Sequence, residues 1–388
     1  MSPPEPGPLD LLVIGDCNPD VIVVGGDVTP AFGQQEKLVE QILLEIGGSA
    51  SITAVAAARL GLRVALAAAV GDDPAGRFML GQLAAEGIDT APVAVRSDVP
   101  TGMTVALSAG EDRAILTATG AVATLTARDV PSGLLARARH VHVSSYFLVA
   151  DSLGPGLATL LRTARAAGAS TSLDTNWDPA QRWGDERLAA ALAHVSVLLP
   201  NEAEALHLAG RTVGLADGTL GEAGGARGQV GAEPGVASGA QGFAGAVPGG
   251  ALGQAGGALG QASGAQGFAG AATLEQAVST LTAAGPRLVV KLGERGALCA
   301  DGPRRYLAAP PPVTVTDATG AGDCFNAGVI AGLLSGADLP FAMALGCAVG
   351  AASTRAPGGT AGAPDLATAR DLARHVAVRE VTPAPPPT

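Results

Sequence analysis

The stretch TDATGAGDCFNAG, residues 316–328, places two aspartates around a Gly-Ala-Gly turn, directly before a long apolar run. Small residues at the start of a helix leave backbone N–H groups open to an anion, and glycines let a phosphate approach closely. Asp323 lies at the mouth of this turn. A carboxylate repels phosphate as a ligand, but it suits a general base that takes a proton from a hydroxyl. The stretch predicts phosphoryl transfer, with a simple helix cap as the alternative for Asp323.

On both sides of this motif, short apolar strands alternate with Ala/Leu-rich helices. LDLLVIGD, from Leu9, predicts a buried strand, ITAVAAARLG a helix ending at Gly61, and RVALAAAVGDD the next strand. The same pattern recurs in HVHVSSY, GASTSLDTN, VSVLLPNEAEALHLAG and RLVVKLGERGALCA. It predicts an α/β fold: a mostly parallel sheet with helices on both faces, whose ligands bind at the carboxyl ends of the strands.

Two segments, about 20–45 and 91–120, predict antiparallel strands instead, with turns rich in Gly, Asp and Pro. They are consistent with a small sheet that covers a site, or with ordinary edge hairpins. The main domain is expected over residues 9–375. Within it, residues 213–272 are repetitive and rich in Gly, Ala and Gln, which predicts a flexible insertion dispensable for activity; residues 380–388 predict a disordered tail.

Composition narrows the class of protein. The chain has 388 residues, of which 47% are apolar and 3% aromatic, so its core must consist largely of Ala, Val and Leu. A net charge of -11 argues against nucleic-acid or anionic-membrane partners. Four scattered cysteines predict reduced thiols in a cytoplasmic protein, and neither a signal peptide nor a membrane-spanning run is expected.

The motif at 316–328 resembles the signature of the phosphofructokinase-B family, the ribokinase-like sugar and nucleoside kinases. That resemblance implies a three-layer α/β/α fold with a small β-sheet lid. It implies that Asp323 is the catalytic base and that Gly320, Ala321 and Gly322 form an anion hole. It also implies that Asp317 helps to bind a monovalent cation, often potassium.

Further matches concern the nucleotide side. In PNEAEALHLAG, Asn201 and Glu204 form an N-cap and its capping-box partner, or lie near the nucleotide phosphates and magnesium as the family implies, or both. The resemblance also points to Asn176 in LDTNWDP, where Asp178 stands in place of a frequent arginine. Nucleotide-binding roles are further expected for Gly293 and Thr319, whereas Lys291 is as consistent with a solvated strand end as with a phosphate ligand.

On the acceptor side, EIGGSASITAVAAARLG resembles the family's N-terminal signature, in which Gly47 and Gly48 let a sugar approach the backbone. Ile52 stands where many members have an asparagine, which removes a polar contact. In GDCNPDVIV the resemblance assigns Asp20, and with it Asn18, to substrate hydroxyls, while a plain turn is the alternative for Asp20.

Together these residues predict a carbohydrate kinase that uses ATP with Mg²⁺, and K⁺, to phosphorylate a hydroxyl of a small sugar or sugar acid. A nucleoside kinase is the first alternative; scarce aromatic residues weaken it. A non-catalytic sugar sensor is the second, and the intact Asp323 argues against it. A dinucleotide-dependent oxidoreductase lacks the GxGxxG expected after the first strand. The resemblance further suggests a homodimer formed through the lid.

Overall fold

The computed structural model describes residues 9–109, 112–216 and 273–382. Its strands are β1 Leu9–Ile14, β2 Asn18–Val24, β3 Gln41–Gly47, β4 Val64–Ala67, β5 Ala69–Gly71, β6 Ala94–Arg96, β7 Met103–Ala109, β8 Asp112–Ala118, β9 Ala138–Val143, β10 Ser170–Leu173, β11 Val197–Leu198, β12 Arg287–Lys291, β13 Ala297–Asp301, β14 Arg304–Ala309 and β15 Ala377–Val381. Its helices are α1 Ser49–Arg59, α2 Pro74–Ala85, α3 Ser132–Arg137, α4 Tyr146–Val149, α5 Gly154–Ala166, α6 Glu186–Leu192, α7 Glu202–Ala216, α8 Leu274–Ala283, α9 Ala321–Leu334, α10 Leu339–Ser353 and α11 Leu366–Ala373.

The main sheet has the strand order β15-β14-β13-β12-β11-β10-β9-β1-β4. The strands from β12 to β4 pair in parallel, and β13, β14 and β15 extend one edge with antiparallel pairing. Because β15 pairs with β14, the main sheet extends to Val381, past residue 375, where the sequence predicted the domain to end. The predicted tail at 380–388 overlaps that strand, and residues 383–388 lie outside the described part of the chain.

Helices cover both faces of this sheet, as the alternating pattern predicts. One buried core is formed with α3 to α8, and a second with α1, α2, α9, α10 and α11. Helix α9 is buried on almost every side, which explains why its sequence is apolar without a polar stripe. The first turn of α9 lies beside the carboxyl end of β12, where the Lys291 side chain runs alongside Gly322.

A separate four-stranded sheet, which we call the lid, has the order β3-β2-β7-β8. β2 pairs in parallel with β7, and the two outer pairs are antiparallel. The lid agrees with the two predicted segments except at the start of the second one. There, β6 pairs with β5 in a separate two-stranded sheet, so the second lid segment begins at Met103. Because directly paired residues share a face, Asp20, Glu45 and Thr104 line one side of the lid.

Most of the predicted insertion, residues 217–272, lies outside the described residues. The four cysteines are buried and form no disulfide. Among the described helices, none combines the length and the apolar character needed to cross a membrane.

Candidate active site

Helix α9 begins at the Gly-Ala-Gly turn. Its N-cap is Gly320, which has a φ of 69° and offers no side-chain cap. A Cβ at Gly320 would lie 2.7 Å from Gly359 Cα and 3.0 Å from Ile52 Cγ2, so only glycine fits this close packing. Asp323 is the third residue of the helix, which rejects the alternative that it is merely the cap. The first turn of α9 therefore has no side-chain cap, and within it the Ala321 N–H donates to Ala318 O at 3.3 Å.

The carboxyl group of Asp323 is buried beside that turn. Burial raises its pKa well above the ordinary value, and the negative charge of Asp174 raises it further, while Lys291 opposes the shift. A hydrogen bond from the Ser49 hydroxyl also stabilises the charged form. A raised pKa makes a carboxylate a stronger proton acceptor, which is the property that a general base needs.

A cluster that the sequence did not reveal surrounds Asp323. Lys291, at the end of β12, places Nζ 2.6 Å from Asp174 Oδ2 and 3.4 Å from Asn326 Oδ1. Asn326 also donates from Nδ2 to the Asp174 carboxylate. Asn326 follows Asp323 by three residues on α9, a spacing that puts both on one helix face and could have suggested this contact. Lys291, whose side chain is 13% exposed, is thus a largely enclosed member of the site and not a solvated strand end.

Asn201 and Glu204 form the predicted capping box at the start of α7. The backbone N–H of Asn201 donates to Glu204 Oε2 at 2.9 Å, and the backbone N–H of Glu204 donates to Asn201 Oδ1 at 2.9 Å. Burial, followed by the nearby charge of Asp174, raises the pKa of Glu204 to about 7. Asn201 also pairs with Lys291 in a parallel backbone bridge. The capping box is confirmed, and it lies directly beside the Lys291 cluster.

On the acceptor side, Asp20 lies within β2 and not in a turn. Its carboxylate leans over Gly47, where a Cβ would lie only 1.9 Å from Asp20 Oδ1. Asn18 donates from Nδ2 to Asp20 Oδ1 at 3.3 Å and to Thr104 Oγ1 at 3.1 Å. Gly48, with a φ of 79°, approaches Asn18 so closely that a Cβ would lie 3.0 Å from its Oδ1. The structure thus brings together the residues expected to bind the acceptor.

Asp16 and Asn176 connect this side to Asp323. Asp16, which sequence reasoning missed, accepts hydrogen bonds from Ser49 N–H at 3.0 Å and Ala50 N–H at 2.9 Å at the start of α1. Its pKa is raised by burial, an effect these N–H groups partly offset. Asn176 donates from Nδ2 to Ser49 Oγ at 2.6 Å and Ser145 Oγ at 2.8 Å. The structure therefore places Asn176 near the start of α1, and its predicted nucleotide role stays a prediction.

Asp317 holds two loops together. Its Oδ1 accepts from Thr319 N–H at 2.9 Å and Thr319 Oγ1 at 2.7 Å, and its Oδ2 accepts from Gly358 N–H at 2.8 Å. The Thr319 hydroxyl therefore faces Asp317. Gly293 begins a short 3₁₀ turn, is exposed, and has open space around it. Among the described residues, no three His, Cys, Asp or Glu side chains are grouped to hold a metal ion.

Comparisons with known proteins bear on the family and the fold of this chain. The model of the pfkB family carbohydrate kinases matches residues 9–226 and 258–366, which leaves out part of the predicted insertion. Fructoselysine 6-kinase of Escherichia coli (strain K12) is 42% identical over 80 residues, 20% of this chain and 31% of that enzyme, so less than a third of its length is spanned. The 2-dehydro-3-deoxygluconokinase of Bacillus subtilis (strain 168) is 27% identical over 333 residues, 82% of this chain and 83% of that enzyme.

A solved E. coli structure, a putative ribokinase II with ATP and Mg²⁺, superposes with a TM-score of 0.70 at 20% identity. The superposition covers 94% of this chain and 99% of the E. coli chain. That superposition confirms the predicted fold class.

Proposed function

Because this chain belongs to the pfkB family of carbohydrate kinases, we propose that it transfers the terminal phosphoryl group of ATP to a hydroxyl of a small sugar or sugar-derived acceptor. One observation carries the proposal. The buried Asp323 carboxyl lies in the first turn of α9, directly after the Gly320 cap and beside the Lys291 cluster. A base and an anion-binding turn are thereby held next to each other.

In this mechanism the acceptor lies under the lid between Asp20, Gly48 and Asp323. Asp20 accepts hydrogen bonds from acceptor hydroxyls and orients them. Asp323 takes the proton from the attacking hydroxyl, whose oxygen then bonds to phosphorus as the bond to ADP breaks. The N–H groups of Ala321 and Gly322 stabilise the negative charge on the transferred group.

The nucleotide extends from that turn along the sheet edge past Asn201, Glu204 and Thr319 to Gly293. Support comes from the open space at Gly293 and from the similar fold of a neighbour that binds ATP and Mg²⁺. The buried, acidic surroundings of Glu204 fit a hydrated magnesium ion. Held beside Glu204, Mg²⁺ would neutralise negative charge on the nucleotide phosphates. Asp317, which fixes the loop at Gly358, is the proposed neighbour of a potassium ion.

One observation favours a nucleoside as the alternative acceptor. Trp177, next to Asn176, is 51% exposed and packs edge-on against Trp183 with ring centroids 4.8 Å apart. Trp183 in turn stacks on His207 at 4.2 Å. An exposed aromatic ring beside the site offers a surface for a base. A purely sugar-binding sensor has no use for the buried Asp323 and is the weakest of the three candidates.

The outer face of the lid supports a homodimer. Ile42, Leu44 and Leu116 are each more than half exposed, and Leu44 and Leu116 lie in one cross-strand row with Val21 and Val105. Such an apolar patch is typical of an association surface. Light scattering should give twice the chain mass, and Leu44→Lys with Leu116→Lys should give monomers. A cytoplasmic location follows from the proposed use of ATP.

The test is ADP release from Mg-ATP, with potassium present, across pentoses, hexoses, keto-deoxy sugar acids and nucleosides. Turnover confined to sugars or sugar acids supports the proposal, and turnover confined to nucleosides supports the alternative. Folded protein that binds ATP but turns over no acceptor favours the sensor.

A further inference from the structure

We propose that Lys291 contacts the transferred phosphoryl group and neutralises its charge, which makes it a further catalytic residue of this site. The inference rests on the proposed kinase function. Lys291 stays protonated throughout. The proton of the acceptor hydroxyl goes to Asp323, the new bond joins the acceptor oxygen to phosphorus, and the bond between phosphorus and the ADP oxygen breaks.

Position is the first argument. The Lys291 side chain runs alongside the anion-binding turn, because a Cβ added to Gly322 would lie 3.6 Å from its Cδ and 3.7 Å from its Cε and Nζ. Its backbone bridges to Asn201, the first residue of the capping box. The ammonium group therefore lies where the acceptor side, marked by Asp323, meets the nucleotide side, marked by Glu204. The phosphoryl group must cross this point.

Charge is the second argument. The carboxyl groups that act on Lys291 are Asp174, Glu204 and Asp323. Burial lowers the pKa of Lys291, but these three neighbours outweigh burial and hold the pKa above its ordinary value, so the ammonium stays charged. A site with three carboxyl groups repels a phosphate unless a cation offsets them. Lys291 supplies a fixed cation next to the turn that receives the phosphate.

Hydrogen-bonding capacity is the third argument. An ammonium group has three N–H donors. In the described part of the chain, Asp174 accepts one at 2.6 Å and Asn326 a longer one at 3.4 Å. These two contacts fix the side chain and leave a donor for a phosphate oxygen. A lysine that served only to tie β10 to β12 would not need to lie against the anion-binding turn.

The test uses the fact that the chain has two lysines, Lys37 and Lys291. Lys37 lies on the surface, paired with Asp27, so Lys37→Met is a matched control. Lys291→Met should lower kcat about 100-fold. It should also weaken the binding of the nonhydrolysable ATP analogue adenylyl imidodiphosphate about tenfold more than that of ADP, because only the analogue has the third phosphate. Lys291→Arg should recover part of both losses, and Lys37→Met should match the wild type.

Equal loss of analogue and ADP affinity in folded Lys291→Met, or a kcat within threefold of wild type, would overturn the proposal. If Lys291→Met does not fold, Asp174→Asn is compared with Asp174→Asn combined with Lys291→Met, a double variant in which Asp174 is not left charged without its Lys291 partner. The double variant should bind the analogue about tenfold less well than the single variant, and equal binding would overturn the proposal. Nucleotide binding is measured without an acceptor. A failure of the proposed kinase function would appear as no turnover on any acceptor tested, so it can be told apart from a failure of the role proposed for Lys291.

Discussion

Gly47→Ala tests whether Asp20 orients the acceptor. The added Cβ would lie 1.9 Å from Asp20 Oδ1 and 2.0 Å from its Cγ. To reach ordinary contact at 3.4 Å, the carboxylate must move by roughly 1.5 Å. Gly47 is not among the glycines with positive φ, so alanine causes no backbone strain there. The substitution should therefore displace Asp20 while leaving the fold intact.

The expected cost follows from that displacement. A misplacement of about 1 Å in a positioning group lowers turnover about 100-fold, which corresponds to about 2.7 kcal/mol of transition-state stabilisation. The loss should fall on kcat/KM for the acceptor, because Asp20 lies on the acceptor side of Asp323. ATP affinity should stay at the wild-type value.

The assay measures ADP release while the acceptor is varied at saturating Mg-ATP. Gly81→Ala is the matched control, since a Cβ at Gly81 in α2 meets no atom within 4 Å. Gly47→Ala should lose about 100-fold in kcat/KM, and Gly81→Ala should lose nothing. A folded Gly47→Ala protein within threefold of wild type would refute the role given to Asp20.

Three other predictions concern stability and the insertion. Because the pKa of Asp323 is raised in the folded protein, its contribution to stability is present below the unfolded pKa of about 3.9 and is lost as pH rises through the folded pKa. Asp323→Asn should therefore have a higher Tm than wild type at pH 8, with the difference vanishing near pH 4; equal Tm values at pH 8 would contradict this. Ile52→Asn buries an amide against Gly320 and Gly359, so it should lower the free energy of unfolding in urea by about 1–3 kcal/mol. The control Ile52→Val should lower it by about 1 kcal/mol. An equal loss for both variants would show that the amide finds a hydrogen-bond partner. Deleting residues 227–257, which the family model leaves out, should keep kcat within twofold of wild type, and a large loss would give the insertion a role.

Much of the fold was predictable because its signals are local. The strand from Leu9, the helix ending near Gly61 and the turn before α9 each follow from a few neighbouring residues. The same is true of the capping box at Asn201. Strand β15 was missed because AVREV is exposed and polar, and what identifies it as a strand is its pairing with β14.

The site was predictable only in part. Asp323 and Gly47 lie in motifs whose spacing is visible in the sequence. Asp16, Asp174 and Asn326 were missed because tertiary packing brings them together: Asp174 and Asn326 are 152 residues apart along the chain. For Lys291, a strand-end position is equally consistent with solvent, and only the meeting of β10, β12 and α9 shows that its side chain is largely enclosed.

The most direct test of the central claim is the kcat of Asp323→Asn on the acceptor that the panel identifies, with formation of the phosphate ester followed by phosphorus NMR. The variant keeps the size of the side chain but cannot accept the proton. The account predicts a loss of about 10²–10⁴ in kcat with ATP binding retained. Phosphorylation at near wild-type kcat would contradict it, because the acceptor would then lose its proton to some other group.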